Sequence, residues 1–321
     1  MDQRISKNFE FSKIASIIMV ATGHFFPGNI LWVPVSIALF VFAFSSAIFT
    51  SEKYVGEFQL GKFWYRKIVR LGPDLLVINV FLLALFIFQG KPDIFTVDTI
   101  INMFGLSGFL NWFNIVNKSP FGGGLWFFTL LLIFYVAYPI LNFISRTRIS
   151  SIVLVVVALV ATTYFHYTIH VGHVLWLTMF GFLFGVFYSK SGMVRVKLSP
   201  AITAAAGLLI VGLMIFCNYV VNFKEANYPL ILAACVLTVI WLINAKVSSI
   251  AVASVGPVSV CLIEIYFIHT YLFVHPFESQ LINYLASLAI IMSVAVLLER
   301  VARWVRGQLR TNERARATAL R

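Results

Sequence analysis

A titratable residue inside an apolar segment is the first candidate for chemistry in this sequence. His24 lies in the run from Phe11 to Phe26, eleven residues after Lys13. On an α-helix this spacing returns to nearly the same face, ~16 Å further along the axis. We therefore predict a buried imidazole near mid-bilayer, on the face that carries a cation near the membrane surface. Ionisable groups are costly at that depth, which favours a functional role; a histidine hydrogen-bonded between packed helices would give the same pattern.

Three cations form a second candidate, in the stretch Phe63–Pro73 between two predicted spans. Arg66, Lys67 and Arg70 are three and four residues apart, so a helix groups them. Guanidinium groups bind phosphate through paired donors, and the cluster suits a multiply phosphorylated ligand. The topology of a membrane protein would also place cations here. We expect Pro73 to begin a new helix at the membrane surface.

Two carboxylates and a second histidine also fall in or near predicted spans. Glu10 precedes Lys13 by one turn and could orient the lysine or form an ordinary surface pair. Glu264 and His269 are five residues apart, so their directions on a helix diverge by roughly 140° and we expect no direct pairing. A carboxylate inside the bilayer needs a partner or a proton.

Three histidines, His166, His170 and His173, lie close together in a predicted outer loop. The loop contains tyrosines and no carboxylate, so we expect glycan contact or interfacial packing and no metal site. The cysteines lack metal-ligand spacing, and we interpret them as small apolar residues within spans. They are Cys217, Cys235 and Cys261.

The composition indicates which elements must position these residues. The chain has 321 residues, 60% of them hydrophobic and 11% charged, and its mean hydropathy is +0.93. A soluble domain could not cover so much apolar surface, so we predict an all-α, polytopic membrane protein. Ten segments have about the length that crosses ~30 Å of hydrocarbon as a helix. They are 11–29, 31–50, 73–89, 124–144, 150–165, 174–189, 199–221, 228–245, 257–275 and 281–299.

The net charge of +12 is distributed unevenly over the predicted loops. With the amino terminus inside, only Lys91, Lys118 and Lys224 of the 24 lysines and arginines fall outside. This positive-inside asymmetry predicts an even number of crossings and two cytoplasmic termini. It also explains the basic balance without nucleic acid, which we do not expect as a partner. We divide the chain into a membrane domain, 1–299, and a basic cytoplasmic tail, 300–321, whose arginine stripe would lie against anionic membrane lipid.

The longest interruption between spans runs from Gln89 to Gly124 and ends in a run of three glycines. Its apolar middle, Ile100 to Leu110, is too short to span. We expect this part to dip into the membrane interface or to cover a cavity.

Five motifs, in order and over essentially the whole chain, resemble the acyltransferase type 3 family of membrane O-acyltransferases. They are Glu10–Ala15 followed by His24; Phe40–Phe49 around Ser45-Ser46; Phe63–Pro73; Leu125-Trp126-Phe127 continuing through Leu130, Tyr135 and Pro139; and Ile265-Tyr266-Phe267-Ile268-His269. Lys13 stands where the family mostly has arginine, which keeps the charge and loses bidentate geometry. Ser46 replaces the usual glycine, and Leu131 stands where some members have a glutamate.

The resemblance implies an enzyme that moves an acyl group, commonly acetyl, from acyl-CoA to a hydroxyl of a cell-surface polysaccharide or its lipid-linked precursor. Acyl-CoA would be a co-substrate, with no permanently bound cofactor, and the partners would be acyl-CoA, the glycan acceptor and membrane lipid. We expect a bacterial plasma (inner) membrane. His24 would act as general base. Four cations would hold acyl-CoA: Lys13, Arg66, Lys67 and Arg70. Four residues would line or support the cavity: Glu10, Trp126, Glu264 and His269.

A transporter or flippase of a polysaccharide precursor would also fit many helices with an intramembrane histidine. The chain lacks the repeat symmetry and the paired broken helices typical of such folds. A third possibility is an exporter of acyl groups whose product another protein uses, and the sequence does not separate this from the enzyme.

Overall fold

The computed structural model describes residues 2–28, 31–54, 58–169, 171, 174–191, 197–246 and 258–319, with backbone alone over 310–319. Within these ranges the chain is helical and contains no strand. In chain order the α-helices are α1 (Gln3–Phe25), α2 (Trp32–Lys53), α3 (Leu60–Phe88), α4 (Val97–Met103), α5 (Ser107–Trp112), α6 (Trp126–Ile144), α7 (Arg148–Thr168), α8 (Leu175–Ser191), α9 (Pro200–Tyr219), α10 (Asn227–Asn244), α11 (Leu262–Ile268) and α12 (Gln280–Ala319).

Seven helical segments of the described chain are long and apolar enough to cross a membrane. They are α2, α3, α6, α7, α9, α10 with the 3-10 turn before it, and α12 as far as Leu309. The predicted class, an all-α polytopic membrane protein, is confirmed. The count of ten spans and the cytoplasmic position of both termini stay predictions.

The remaining three predicted spans have different outcomes. Helix α1 is long but carries charges in its first half, and α8 has 17 residues. The predicted span 257–275 is not a single helix, and its first residue lies outside the described ones. It contains α11, a 3-10 turn at His269–Tyr271, and non-helical chain from Leu272 onward.

The predicted boundaries of α1 and α3 differ from the observed ones. The sequence predicts the first span over 11–29, whereas helix α1 runs from Gln3 to Phe25, so His24 lies in its last turn. Helix α3 runs without interruption from Leu60 through Pro73 to Phe88. Its first turns are amphipathic, because Phe63 is buried while the neighbouring cations are accessible, and this packing extends the helix beyond the apolar stretch.

The chain forms two compact units, one of residues 1–56 and 130–259 and the other of residues 57–129 and 260–321. In the first unit, α2 packs closely along α8. A Cβ atom added at Gly185 would lie 2.7 Å from Cβ of Ala47 and from the carbonyl oxygen of Phe44. One turn earlier, an added Cβ at Gly181 would lie 3.0 Å from the Phe40 ring. Small residues spaced four apart allow such approach in membranes.

Helix α1 also closes the end of α10 in the first unit. The Arg4 guanidinium donates a hydrogen bond of 3.0 Å to the carbonyl of Asn244. The buried Asn8 amide donates to the carbonyls of Leu242, at 2.7 Å, and Ala245, at 2.8 Å. The last carbonyls of a helix have no partner within it, so these side chains satisfy groups that would otherwise be exposed or orphaned.

In the second unit, α12 packs against α3 and α11, and the segment before α6 is folded onto the same unit. Asn79 of α3 donates to the carbonyl of Met103, 2.8 Å away. The Thr129 hydroxyl accepts the N–H of Gly108 and donates to the carbonyl of Gly105. The predicted short element is therefore two helices, α4 and α5. Their large exposed apolar side chains favour an interfacial position: Ile100, Phe104, Phe109 and Phe113.

Candidate functional site

Helix α1 carries the predicted base and one predicted acyl-CoA contact. Lys13 and His24 lie on one uninterrupted helix, with the spacing that the sequence predicted. Lys13 is half-buried, and its Nζ lies 4.9 Å from the ring centroid of Phe49, a cation–π contact. Phe49 also meets Phe9 edge to face. The first and second motifs are therefore in contact, and Glu10, half-buried, lies on the adjacent turn of α1.

The prediction of a buried His24 is wrong, because its side chain is exposed. The buried position at this end of α1 belongs to Phe25, whose ring packs edge-on against Phe26. Just before it, a Cβ added at Gly23 would clash with Val35 of α2. The end of α1 is thus held closely against α2, and the His24 side chain next to this contact is exposed.

The cation cluster lies on α3 in the second unit. Arg66 and Arg70 are exposed, one turn apart. Lys67 is half-buried, with its Nζ 5.4 Å from the ring of Phe63, which is fully buried. One side of this helix therefore anchors the segment, and the two arginines remain exposed.

A buried ionic cluster begins one turn after Arg70. The carboxyls of Asp74 and Glu299 are almost completely buried, and the Arg306 guanidinium contacts both, at 3.4 and 3.3 Å. Arg303 makes a two-pronged contact with Glu299, at 2.7 and 3.0 Å. Both arginines belong to the predicted arginine stripe of the tail. The position of Arg303 against lipid stays a prediction, because its side chain is 64% exposed, whereas Arg306 is turned toward the carboxyls of its own unit. Arg306 is only 22% exposed.

Glu264 lies close to this ionic cluster. It is 1% exposed, on α11, and its Oε2 has no hydrogen-bond partner among the described residues. Its carboxyl interacts electrostatically with those of Asp74 and Glu299 and with Arg306. Arg70 interacts electrostatically with Asp74. Arg70 is therefore the accessible cation of α3 that lies within electrostatic reach of the buried charges.

The fourth and fifth motifs meet in the second unit. The ring of Phe128 lies 4.8 Å from that of Phe267. The Tyr266 hydroxyl donates to the carbonyl of Gly124 at 2.8 Å, and the N–H of Gly123 donates to the Tyr271 hydroxyl at the same distance. The glycine run before α6 is thus tied to the end of α11 and the turn that follows.

His269 and Trp126 are part of this packed region. His269 is completely buried, with Nδ1 2.7 Å from the carbonyl oxygen of Tyr266. Its ring also faces Phe273, at 6.1 Å. Trp126 is half-buried and meets Phe127 edge to face at 6.2 Å. These contacts are typical of packed side chains, and the cavity-lining role of both residues stays a prediction.

The predicted site residues therefore fall in two groups. Glu10, Lys13 and His24 belong to the first unit. The others belong to the second unit: Arg66, Lys67, Arg70, Trp126, Glu264 and His269. Within the second unit, Arg70 and Glu264 interact electrostatically with residues of the ionic cluster, while His269 and Trp126 lie at the contact between the fourth and fifth motifs.

Sequence reasoning missed Asp74, Glu299 and Arg306. The two carboxylates lie inside predicted spans, which is the same signal that singled out Glu264. The sequence does not predict that Arg306 is their partner, because Asp74 and Arg306 are separated by 232 positions.

The histidines of the predicted loop are only partly described. His166 stacks on Tyr228, with ring centroids 3.8 Å apart, which agrees with a packing role. His170 and His173 lie outside the described residues. Among the residues that are described, no group of three or more metal-ligating side chains comes together. All three cysteines are free thiols, as the sequence indicated.

The seven apolar helices of membrane-spanning length in the described chain indicate an integral membrane protein. It carries titratable side chains, some buried and some exposed, of the kinds that catalyse group transfer. A family model described as an acyltransferase domain, Acyl_transf_3, matches residues 7–300. The chain belongs to this family, acyltransferase type 3, and is a multi-pass membrane acyltransferase. The resemblance found from five motifs is confirmed. A search of curated proteins and a search of solved structures find no match.

Proposed function

We propose that this protein transfers an acyl group, most simply acetyl, from acyl-CoA to a hydroxyl of a cell-surface polysaccharide or its lipid-linked precursor. The observation that carries the proposal is the family match, which covers nearly the whole chain. The accessible imidazole of His24 and the accessible arginines of α3 supply the two chemical functions that such a transfer needs.

In the proposed reaction His24 is the general base. A neutral imidazole takes the proton of the acceptor hydroxyl as its oxygen attacks the thioester carbonyl. The new carbon–oxygen bond forms, the carbon–sulfur bond breaks, and the CoA thiolate leaves; the imidazolium returns its proton to the thiolate or to solvent. The exposure of His24 supports this role, since a base must be reachable by the hydroxyl it deprotonates.

The donor is proposed to bind at the basic end of α3. CoA carries several phosphate charges, and exposed arginines bind phosphate through paired donors. Arg66 and Arg70 are exposed and one turn apart, and Lys67 is held beside them by Phe63. Lys13, in the first unit, is the fourth proposed cation. The positive-inside charge distribution supports placing this end of α3, and both termini, in the cytoplasm of a bacterium whose plasma membrane holds the protein.

The role of His24 is tested by replacing it with alanine. Because the base is lost while the helix is kept, transfer of labelled acetyl from acetyl-CoA to membrane glycans should fall by about a hundredfold or more. The measurement is label incorporation in membranes matched for protein amount, and His275→Ala, another exposed histidine, is the control. Undiminished transfer in His24→Ala would remove the catalytic assignment. Uptake of glycan precursor into proteoliposomes without acetyl-CoA would instead identify a transporter.

The donor site is tested by the double variant Arg66→Ala plus Arg70→Ala. Loss of two phosphate-binding cations should weaken acetyl-CoA binding by about tenfold or more. The measurement is titration calorimetry on the purified protein. Arg148→Ala, which removes an exposed arginine at the start of α7, should bind as the unaltered chain does. Equal affinity in all three proteins would leave the α3 arginines as topology determinants only.

A further inference from the structure

A cavity of about 530 Å³ lies in the second unit, at the opposite end of α3 from the basic cluster. Phe86, which lines it, follows Arg66 by twenty residues, a helical rise of ~30 Å. This rise equals the thickness of a bilayer's hydrocarbon core. The volume is in the range of small-molecule sites.

Two lysines give the cavity its charge. Lys91 and Lys118 both line it, and none of the nine described residues around it is acidic. They are two of the three cations that the predicted topology leaves on the outer side. The positive-inside rule explains cations on the inner side only. It therefore does not explain why two of the few outer lysines line the same cavity. Ammonium groups at a cavity attract carboxylate or phosphate.

The polar wall of the cavity is held in place by contacts of its own backbone and side chains. The N–H of Lys118 donates to the Asp98 carboxylate at 2.9 Å. The Ser119 hydroxyl is hydrogen-bonded to that of Thr99 at 2.6 Å. A fixed wall lowers the cost of ordering the site when a ligand binds.

The aromatic part of the lining adjoins the fifth motif. Tyr271 lines the cavity two residues after His269, and its hydroxyl is fixed by the N–H of Gly123. Its ring meets that of Phe86 edge to face at 5.2 Å. An apolar ring face beside hydroxyl and ammonium groups suits a sugar, which has both apolar and polar faces.

We propose that this cavity binds the negatively charged part of the acceptor, a sugar that carries a carboxylate or a phosphate group. The inference rests on the proposed acyl transfer to a glycan and adds that the glycan is anionic. The donor and the acceptor are thereby assigned to opposite ends of one helix.

The test is binding of three sugar probes of similar size to the purified full chain. Glucuronic acid and glucose 1-phosphate carry the two candidate charges, and glucose carries none. We expect saturable binding of at least one anionic probe, weakened by salt, and weaker binding of glucose. The stronger anionic probe tells which group the site prefers.

Variants assign the binding to this cavity. Lys91→Ala plus Lys118→Ala should weaken binding of the anionic probe by about tenfold. Lys91→Arg plus Lys118→Arg, which keeps both charges, should bind the probe as the unaltered chain does. Lys224→Ala, which removes the third predicted outer lysine, should have no effect. Equal binding by the alanine double variant, or glucose binding as tightly as the anionic sugars, would overturn the inference. This assay contains no acetyl-CoA and therefore reports binding alone. If the anionic probes bind as expected while the unaltered protein transfers no label from acetyl-CoA in the separate assay, the proposed function fails and the binding site stands.

Discussion

The two units differ in what fills their interiors. In the first, which holds α1, α2 and α8, closely packed glycines and aromatic rings form the core. In the second, the core includes charges. All of the buried carboxylates and histidines among the described residues belong to the second unit: Asp74, Glu264, His269 and Glu299.

This difference shows that family motifs carry two kinds of physical information. In Phe40–Phe49 the motif describes a packing face, because Phe40, Phe44 and Ala47 lie against the glycines of α8. In Phe63–Pro73 it describes a helix whose cations stay accessible. A change in the first kind should act through packing, and a change in the second through charge.

The largest expected effect is in the ionic interior. Arg306→Ala removes the partner of two buried carboxyls and should lower the free energy of unfolding by about 3 kcal/mol. The measurement is denaturant unfolding in detergent, with Arg300→Ala, an exposed neighbour on the same helix, as control. Adding Asp74→Asn and Glu299→Gln to Arg306→Ala should recover most of the loss. Equal stability of the two arginine variants would show that the charges are solvated instead.

The next largest effect concerns the glycines of the first unit. Replacing glycine by alanine should lower the stability at a closely packed position and raise it at an open one. Gly185→Ala forces a methyl group against Ala47 and should cost about 1–3 kcal/mol. Gly212→Ala, on α9, meets nothing within 4 Å. It should stabilise the helix by about 0.5–1 kcal/mol. Melting temperatures of the purified variants give both signs. An unchanged or raised melting temperature in Gly185→Ala would mean that α2 and α8 are less closely packed than the added-Cβ distances indicate.

The smallest effect concerns the polar contact between α1 and α10. Asn8→Ala leaves two buried carbonyls without their donor and should cost about 1 kcal/mol. Hydrogen exchange at the end of α10 should rise with it. Gln3→Ala, on the exposed part of α1, should change neither quantity. If hydrogen exchange stays unchanged in Asn8→Ala, the hydrogen bonds from Asn8 do not stabilise the end of α10.

The apolar spans were predictable because the bilayer imposes a length on them, and α2, α6, α9 and α10 lie within a few residues of expectation. Hydropathy failed where a helix continues beyond the apolar stretch, as at the start of α3. Hydropathy also predicted burial of His24, which is exposed. Burial depends on neighbouring side chains, and here Phe25 occupies the buried position at the end of α1. The pairing of Asp74 with Arg306 depends on tertiary packing, and no local pattern encodes it.

Pro73 lies between the accessible cations of α3 and the long apolar part of the same helix. Because a proline nitrogen has no hydrogen, the carbonyl of Val69 loses its usual helical donor. The backbone ladder of α3 is thus weakest at one level, and bending there is less costly than elsewhere along its length. A change in the tilt of the basic end relative to the part from Asp74 to Phe88 would therefore occur at this level of the helix before any other.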